Sequence, residues 1–148
     1  MYKYNFKTIN LAIRSFSTGG KNRVYTSDHQ WVEWSDKDNK ATVGITDHGR
    51  KQLKGKINTV YTPRVGQNYK NDDLLYVVSS DQFMVKFMNP ISGTVTKINE
   101  KVIEQPELVN NDCENTGWLA IIETKSNDKD NKKLLSKKEY DEMTKRTK

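Results

Sequence analysis

The chain has 148 residues, 34% of them hydrophobic and 30% charged, and a net charge of +6. That length accommodates one domain with a compact core and tails, and no apolar run approaches the length needed to cross a bilayer. Its one cysteine, Cys113, excludes an intrachain disulfide and fits a reducing compartment, and two scattered histidines give no metal-ligand spacing.

Residues 1–22 carry Lys3, Lys7, Arg14 and Lys21 and no acid, whereas the remainder has 21 basic and 19 acidic residues, or +2. The basic excess therefore belongs mostly to the N-terminus. A nearly neutral remainder, without aromatic and basic residues interleaved on one face, argues against nucleic acid as a partner. Spaced basic residues, hydroxyl residues and the apolar positions Phe6, Ile9, Ile13 and Phe16 make residues 1–22 a mitochondrial targeting segment in composition. As a helix, Phe6, Ile9 and Ile13 share one face. Cleavage is expected between Phe16 and Asn22, leaving 23–148 as the domain of a protein of the mitochondrial matrix. A basic tail without a targeting role is the other reading.

Val24 and Tyr25 open the domain as a short extended segment, and Gln30–Trp34 is expected to be a strand. His29 has no identifiable nucleophile or orienting carboxylate beside it and reads as a structural, hydrogen-bonding histidine. Ser35–Lys40 is a polar turn and Ala41–Ile45 a strand. Thr46 or Asp47 then caps a short helix, because their side chains accept from the unpaired N–H groups of a first turn. Gly55 is the expected stop. Gly49 inside that helix is expected to cost about 1 kcal/mol against alanine. Arg50, Lys51, Lys54 and Lys56 make this segment basic. Ile57–Tyr61 follows as a strand, Thr62–Gly66 as a turn, and Gln67–Asp73 as a polar connection.

Leu74–Gly93, LLYVVSSDQFMVKFMNPISG, reads as two β-rich runs meeting at a polar tip. Leu74–Val78 is the first run and Phe83–Met88 most of the second, with Ser79-Ser80-Asp81-Gln82 between them, a hairpin signal with weaker turn chemistry than Asn-Gly. Asn89-Pro90 ends the second run, since proline has no N–H for a ladder. Thr94–Ile98 continues as a strand, Asn111–Gly117 is a loop, and Gly117–Ile122 is a closing strand with Trp118 as a core aromatic. Cys113 carries no sign of an activated thiolate. Ser126–Lys133 is too polar to pack. Leu134–Lys145 is expected to be a helix with Ser136 and Glu139 as a capping box and Leu135, Tyr140 and Met143 as an apolar stripe, fraying from Thr144.

Several of these stretches together resemble the glycine cleavage system H proteins, a family of lipoyl carriers. Tyr25, Thr26, His29 and Trp31 match the family's opening Y-T-x-x-H-E-W, with Gln30 where glutamate is usual. Val43–Asp47 matches V-G-I-T-D, and Gly49 replaces an alanine. Pro63, Val65 and Gly66 match a P-x-V-G turn, Pro90–Gly93 the close of the modified hairpin, and Pro106, Leu108, Val109 and Asn110 a later motif. Gly117-Trp118 and the C-terminal L-L-S-x-x-E-Y complete the order, so the resemblance spans about Val24–Met143.

The resemblance implies a mostly β fold, the hammerhead-like lipoyl-domain sandwich or barrel with short helices and a C-terminal helix. It implies a carrier, not an enzyme, whose partners are glycine decarboxylase, aminomethyltransferase and lipoamide dehydrogenase. Counted back from Pro90–Gly93 without gaps, the family's lipoyl-lysine falls on Gln82 and the acid three residues earlier on Ser79. Lipoylation acylates a primary amine, and the nitrogen of a carboxamide, delocalised into its carbonyl, is no such acceptor. No lipoate is therefore expected on this chain, which reads as a binding or regulatory module that keeps the carrier shape. The alternative is an active carrier lipoylated at Lys86, four residues on, or about 13 Å along a strand. The family commonly carries acids where this chain has Arg50–Lys56, a surface on which partner enzymes are thought to dock, so a change of sign there implies weakened or redirected docking; a solvated helix face with no partner is the other reading.

Overall fold

The structure, a computed structural model, describes residues 23–35, 38–124 and 134–146. The targeting segment expected at 1–22 and the polar loop expected at Ser126–Lys133 lie outside the described residues. Nine strands and four short helices follow one another within them. Strands β1 (Arg23–Tyr25), β2 (Gln30–Trp34), β3 (Lys40–Ile45), β5 (Asn68–Tyr69), β8 (Gly93–Ile98) and β9 (Ala120–Glu123) form one antiparallel sheet in the order β1-β2-β3-β9-β8-β5. Strands β4 (Ile57–Tyr61), β6 (Leu74–Ser80) and β7 (Met84–Met88) form the second, in the order β4-β6-β7. The main core joins both sheets, with Val32, Val43 and Ile122 from the first packed together with Val60, Tyr76, Val78 and Phe87 from the second. This is a sandwich, and the inward-facing residues of the two sheets supply its core.

Helix α1 (Asp47–Gln52) is capped by Thr46, whose hydroxyl accepts from the Gly49 N–H at 3.1 Å. It ends earlier than expected. Leu53 is the C-cap and the left-handed residue is Lys54, at φ 48°, not Gly55. The aliphatic Leu53 is fully buried, so the chain turns as soon as that side chain has entered the core. Gly49 also differs from its sequence reading. A Cβ there would lie 2.9 Å from the His29 Cβ and 3.0 Å from its carbonyl oxygen, so close packing outweighs helix propensity. Gly49→Ala is expected to lose roughly 1–3 kcal/mol in urea unfolding, where propensity alone predicts a gain.

Helices α2 (Glu100–Glu104) and α3 (Glu107–Asp112) cover the β4 edge, where Asn110 exchanges two hydrogen bonds with the Ile57 backbone at 2.9 and 3.0 Å. The connection Gln67–Asp73 contains β5, a two-residue strand that its polar sequence hides and that exists because Asn68 and Tyr69 pair with Thr94 and Gly93. The closing strand begins at Ala120, and Trp118 is half-buried rather than central. Trp118 instead edges a second cluster of Tyr25, Trp31 and Tyr140 with Leu135 and Met143. Helix α4 (Lys137–Arg146) docks there. Its capping box is made in both directions: Glu139 N–H donates to Ser136 Oγ at 3.2 Å, and Ser136 N–H donates to Glu139 Oε1 at 2.9 Å. The helix keeps Thr144 within it, beyond the expected fraying point. Cys113 is buried, its thiol pushed up to about 12 chiefly by that burial, and its carbonyl accepts from the Trp31 indole at 3.0 Å.

His29 ties these parts together. Its φ is 72°, its carbonyl accepts from Thr46 N–H at 2.9 Å, and its Nδ1 lies 2.8 Å from the Tyr140 hydroxyl, which also meets Thr46 Oγ1 at 2.7 Å. The role is structural. Burial, then the neighbouring His48, depresses its pKa, with Asp28 opposing. A histidine depressed in the folded state stabilises above its unfolded pKa of about 6.5, and that stability is lost as pH falls below it. Unfolding midpoints should therefore drop between about pH 7 and pH 5, and His29→Asn, which tolerates the left-handed backbone, should flatten the drop.

Candidate functional site

The β6–β7 hairpin carries its tip clear of the core. Its register pairs Tyr76 with Phe87, Val77 with Lys86, Val78 with Val85 and Ser79 with Met84. Strand β6 runs two residues further than the apolar run, through Ser79 and Ser80, because Ser80 closes the turn. Its N–H donates to the Phe83 carbonyl at 2.8 Å. Its hydroxyl oxygen accepts from the Gln82 and Phe83 N–H groups at 3.2 and 3.1 Å and donates to the Leu53 carbonyl at 2.9 Å. One hydroxyl thus fixes the tip to itself and to the end of α1. Asn58 adds a bond from Nδ2 to Asp81 Oδ1 at 2.9 Å.

Gln82 stands in this turn with an exposed side chain. It supplies a carboxamide to solvent and no amine, so the tip does not fit an acyl group held by amide linkage. Lys86 is exposed on the outer face of β7 with Met84 and Met88, while Phe87 faces inward against Tyr76, ring centroids 5.3 Å apart. Bringing Lys86 to the tip would require a four-residue slide that pulls Phe87 away from Tyr76, a register change that burial opposes. The two sequence candidates are therefore on one hairpin but at different heights. Of the basic residues near α1, Arg50 and Lys51 share Asp47 at 2.7 and 3.3 Å, and these contacts hold its carboxyl below the usual carboxylate range. Lys54 and Lys56 are exposed beside the tip.

Sequence reasoning missed Gln30. It is 1% exposed and lies at the base of the same hairpin. Its Nε2 donates to the Met88 carbonyl at 2.7 Å and to Asp28 at 3.1 Å, and its Oε1 accepts from the Tyr76 hydroxyl at 2.6 Å. Thr26 donates its hydroxyl to Asp28 and accepts from the Gln30 N–H at 3.0 Å. Burial, with Asp28 adding to it, raises the Tyr76 pKa well above its ordinary value, so the phenol remains a donor. Thr26, Asp28, Gln30 and Met88 border a cleft of about 520 Å³ that Asn71, Asp72, Leu134 and Leu135 also line. The departure of Gln30 from the usual glutamate was visible in the sequence, but two of its partners, Tyr76 and Met88, lie 46 and 58 positions away.

Among the described residues no group of three His, Cys, Asp or Glu side chains is placed to hold a metal. What the fold and the site define is a β-sandwich domain that presents a short hairpin tip at its surface. The comparisons with known proteins make the class specific. The chain belongs to the glycine cleavage H-protein family, whose pattern matches residues 23–147. It is 37% identical over 123 residues to the glycine cleavage system H protein of Thermotoga maritima, covering 83% of this chain and 96% of that one. It is 34% identical over 124 residues to the H protein of Bacillus velezensis, covering 84% and 94%. The crystal structure of a glycine cleavage system H protein from Mycobacterium marinum superposes with a TM-score of 0.75 at 25% identity, covering 84% of this chain and 97% of that one. The family is one of lipoyl carriers in the glycine cleavage system, not of catalysts.

Proposed function

We propose that this chain is an H-family protein without the lipoyl arm, acting as a binding or regulatory module on the enzymes of glycine breakdown. The observation that carries the reading is the exposed carboxamide of Gln82 in the hairpin turn, on which the family's lipoyl-lysine falls when counted back from Pro90–Gly93 without gaps. The carrier scaffold around it is intact, so docking on glycine decarboxylase, aminomethyltransferase or lipoamide dehydrogenase does not require the arm. Such a module occupies a partner's docking groove or stabilises an assembly. The composition of residues 1–22, ahead of a family match that begins at residue 23, supports import into the mitochondrial matrix.

The second reading is an active carrier of the aminomethyl group lipoylated at Lys86, favoured only by the exposure of that amine on the same hairpin. Intact mass of the chain isolated from mitochondria separates the two. The unmodified mass is the expected result. A lipoyl adduct that disappears in Lys86→Ala overturns the first reading in favour of the second.

A further inference from the structure

Helix α4 is tied to the body of the molecule through a hydroxyl. Tyr140 is the buried residue of that helix, and its ring stacks on Tyr25 with centroids 4.8 Å apart. Its hydroxyl lies 2.8 Å from His29 Nδ1 and 2.7 Å from Thr46 Oγ1, so the turn before β2, the cap of α1 and α4 share one oxygen. The directions of these bonds follow from counting hydrogens. Thr46 Oγ1 accepts from the Gly49 N–H, and its own hydrogen donates to Tyr140. Tyr140 in turn donates to His29 Nδ1, which is therefore the unprotonated nitrogen. Nε2 then carries the hydrogen and faces the Gln52 carboxamide at 3.3 Å. The reverse direction runs from Nδ1–H to Tyr140 and on to Thr46. It leaves the hydroxyl hydrogen of Thr46, which is 1% exposed, without an acceptor among the described residues.

A proton added to His29 imposes that reverse direction, and the neighbouring carboxylates are committed elsewhere. His48, from α1, faces the ring with centroids 4.6 Å apart. Both oxygens of Asp28, in the same turn, accept from Gln30 Nε2 at 3.1 Å, and Thr26 donates to one of them. Asp47 on α1 is held by Arg50 and Lys51. Glu114 beyond α3 meets Arg23 and the Asp47 N–H, and Asp141 on α4 meets Lys137. Tyr25 and Tyr140 remain phenols, because burial raises the pKa of each. Burial and then His48 lower the pKa of His29, with Asp28 opposing. The main core draws no buried residue from α4, and ten residues are too few for a helix to persist in water once undocked.

We propose that α4 is an acid-released latch: protonation of His29 at Nδ1 breaks the hydroxyl link and frees α4 from the Tyr25–Trp31 cluster while the two sheets stay closed. The neutral imidazole belongs to the docked state. Docking is therefore unimpaired above the free histidine value of about 6.5 and weakens as pH falls below it.

Amide hydrogen exchange of the full chain, read by NMR as protection factors between pH 8 and pH 5, tests the latch. Protection of the α4 amides beyond the first turn is expected to fall roughly tenfold by pH 5, while β2, β3 and β9 keep theirs. The fall should track the ring protons of His29. His48→Gln should move its midpoint upward, since it removes the ring that disfavours the charge. Tyr140→Phe keeps the stack and loses the hydroxyl, so its α4 protection should already be low at pH 8 and change little with pH. His29→Asn should remove the pH dependence as well. If α4 is held by packing alone, its amides keep their pH 8 protection at pH 5, and the inference is overturned. A Tyr140→Phe chain with the pH profile of the native one overturns it too. Protection lost by all amides together also overturns it, leaving a global effect of His29 on stability in its place.

Discussion

Incubated with a competent lipoyl ligase and lipoate, the native chain is expected to remain unmodified, and Gln82→Lys to gain one lipoyl adduct. The turn is built from the backbone and from Ser80 Oγ, so exchanging the exposed Gln82 side chain leaves its hydrogen bonds in place. The change supplies what the carboxamide lacks. A lysine amine, which ordinarily titrates at about 10.4, releases a proton, attacks the activated acyl carbon and forms the amide as the activating group leaves. Ser79→Glu added to it should raise the rate, because it restores the acid that the family places three residues earlier. Ser79 lies opposite Met84 and Thr59 on the half-exposed outer face, where a longer acidic side chain reaches solvent. Occupancy read by intact mass should rise from none to most of the protein. If the double variant stays unmodified while an intact H protein is lipoylated in the same tube, the alignment of the tip on Gln82 fails, and the proposed function fails with it.

Restoring the family's glutamate at position 30 should cost about 2–4 kcal/mol at neutral pH. The amide nitrogen of Gln30 faces the Met88 carbonyl and the Asp28 carboxylate, and both accept from it. In Gln30→Glu those two acceptors meet another oxygen, and burial prevents water from separating them. The new carboxyl answers by holding its proton, so its folded pKa lies above the unfolded value of about 4.3. The sign follows from linkage. A group whose folded pKa is raised leaves stability intact below the unfolded pKa and removes it as pH climbs toward the folded one. Urea unfolding should therefore show a small loss near pH 4 and a growing loss toward about pH 7. Asp28→Asn in the same chain should return part of it, since the facing charge is then gone. A pH-independent loss under about 1 kcal/mol would mean that the cleft admits water to this position and that Gln30 does not link the hairpin to the sheet.

Local chemistry was legible in the residues. Thr46 as a cap, Ser136 with Glu139 as a capping box, the two apolar runs of the hairpin and the stop at Asn89-Pro90 depend on groups close together along the chain, and the structure has them. The placement of Gln82 in the turn followed from counting along one hairpin. What was not legible depends on distant partners. Gly49 is required by His29, Trp118 is drawn into the cluster under α4, β5 exists through its pairing with β8, and Gln30 is committed to Tyr76 and Met88.

By itself, then, the amino-acid sequence determined the helix caps, the two runs of the hairpin, the family and the chemical nature of the tip side chain, because covalent neighbours set caps, turns and alternation. The tertiary structure alone decided which residues tolerate exchange and which charges stand beside the tip. Those depend on side chains that meet only when the two sheets close on the main core and α4 docks on the second cluster.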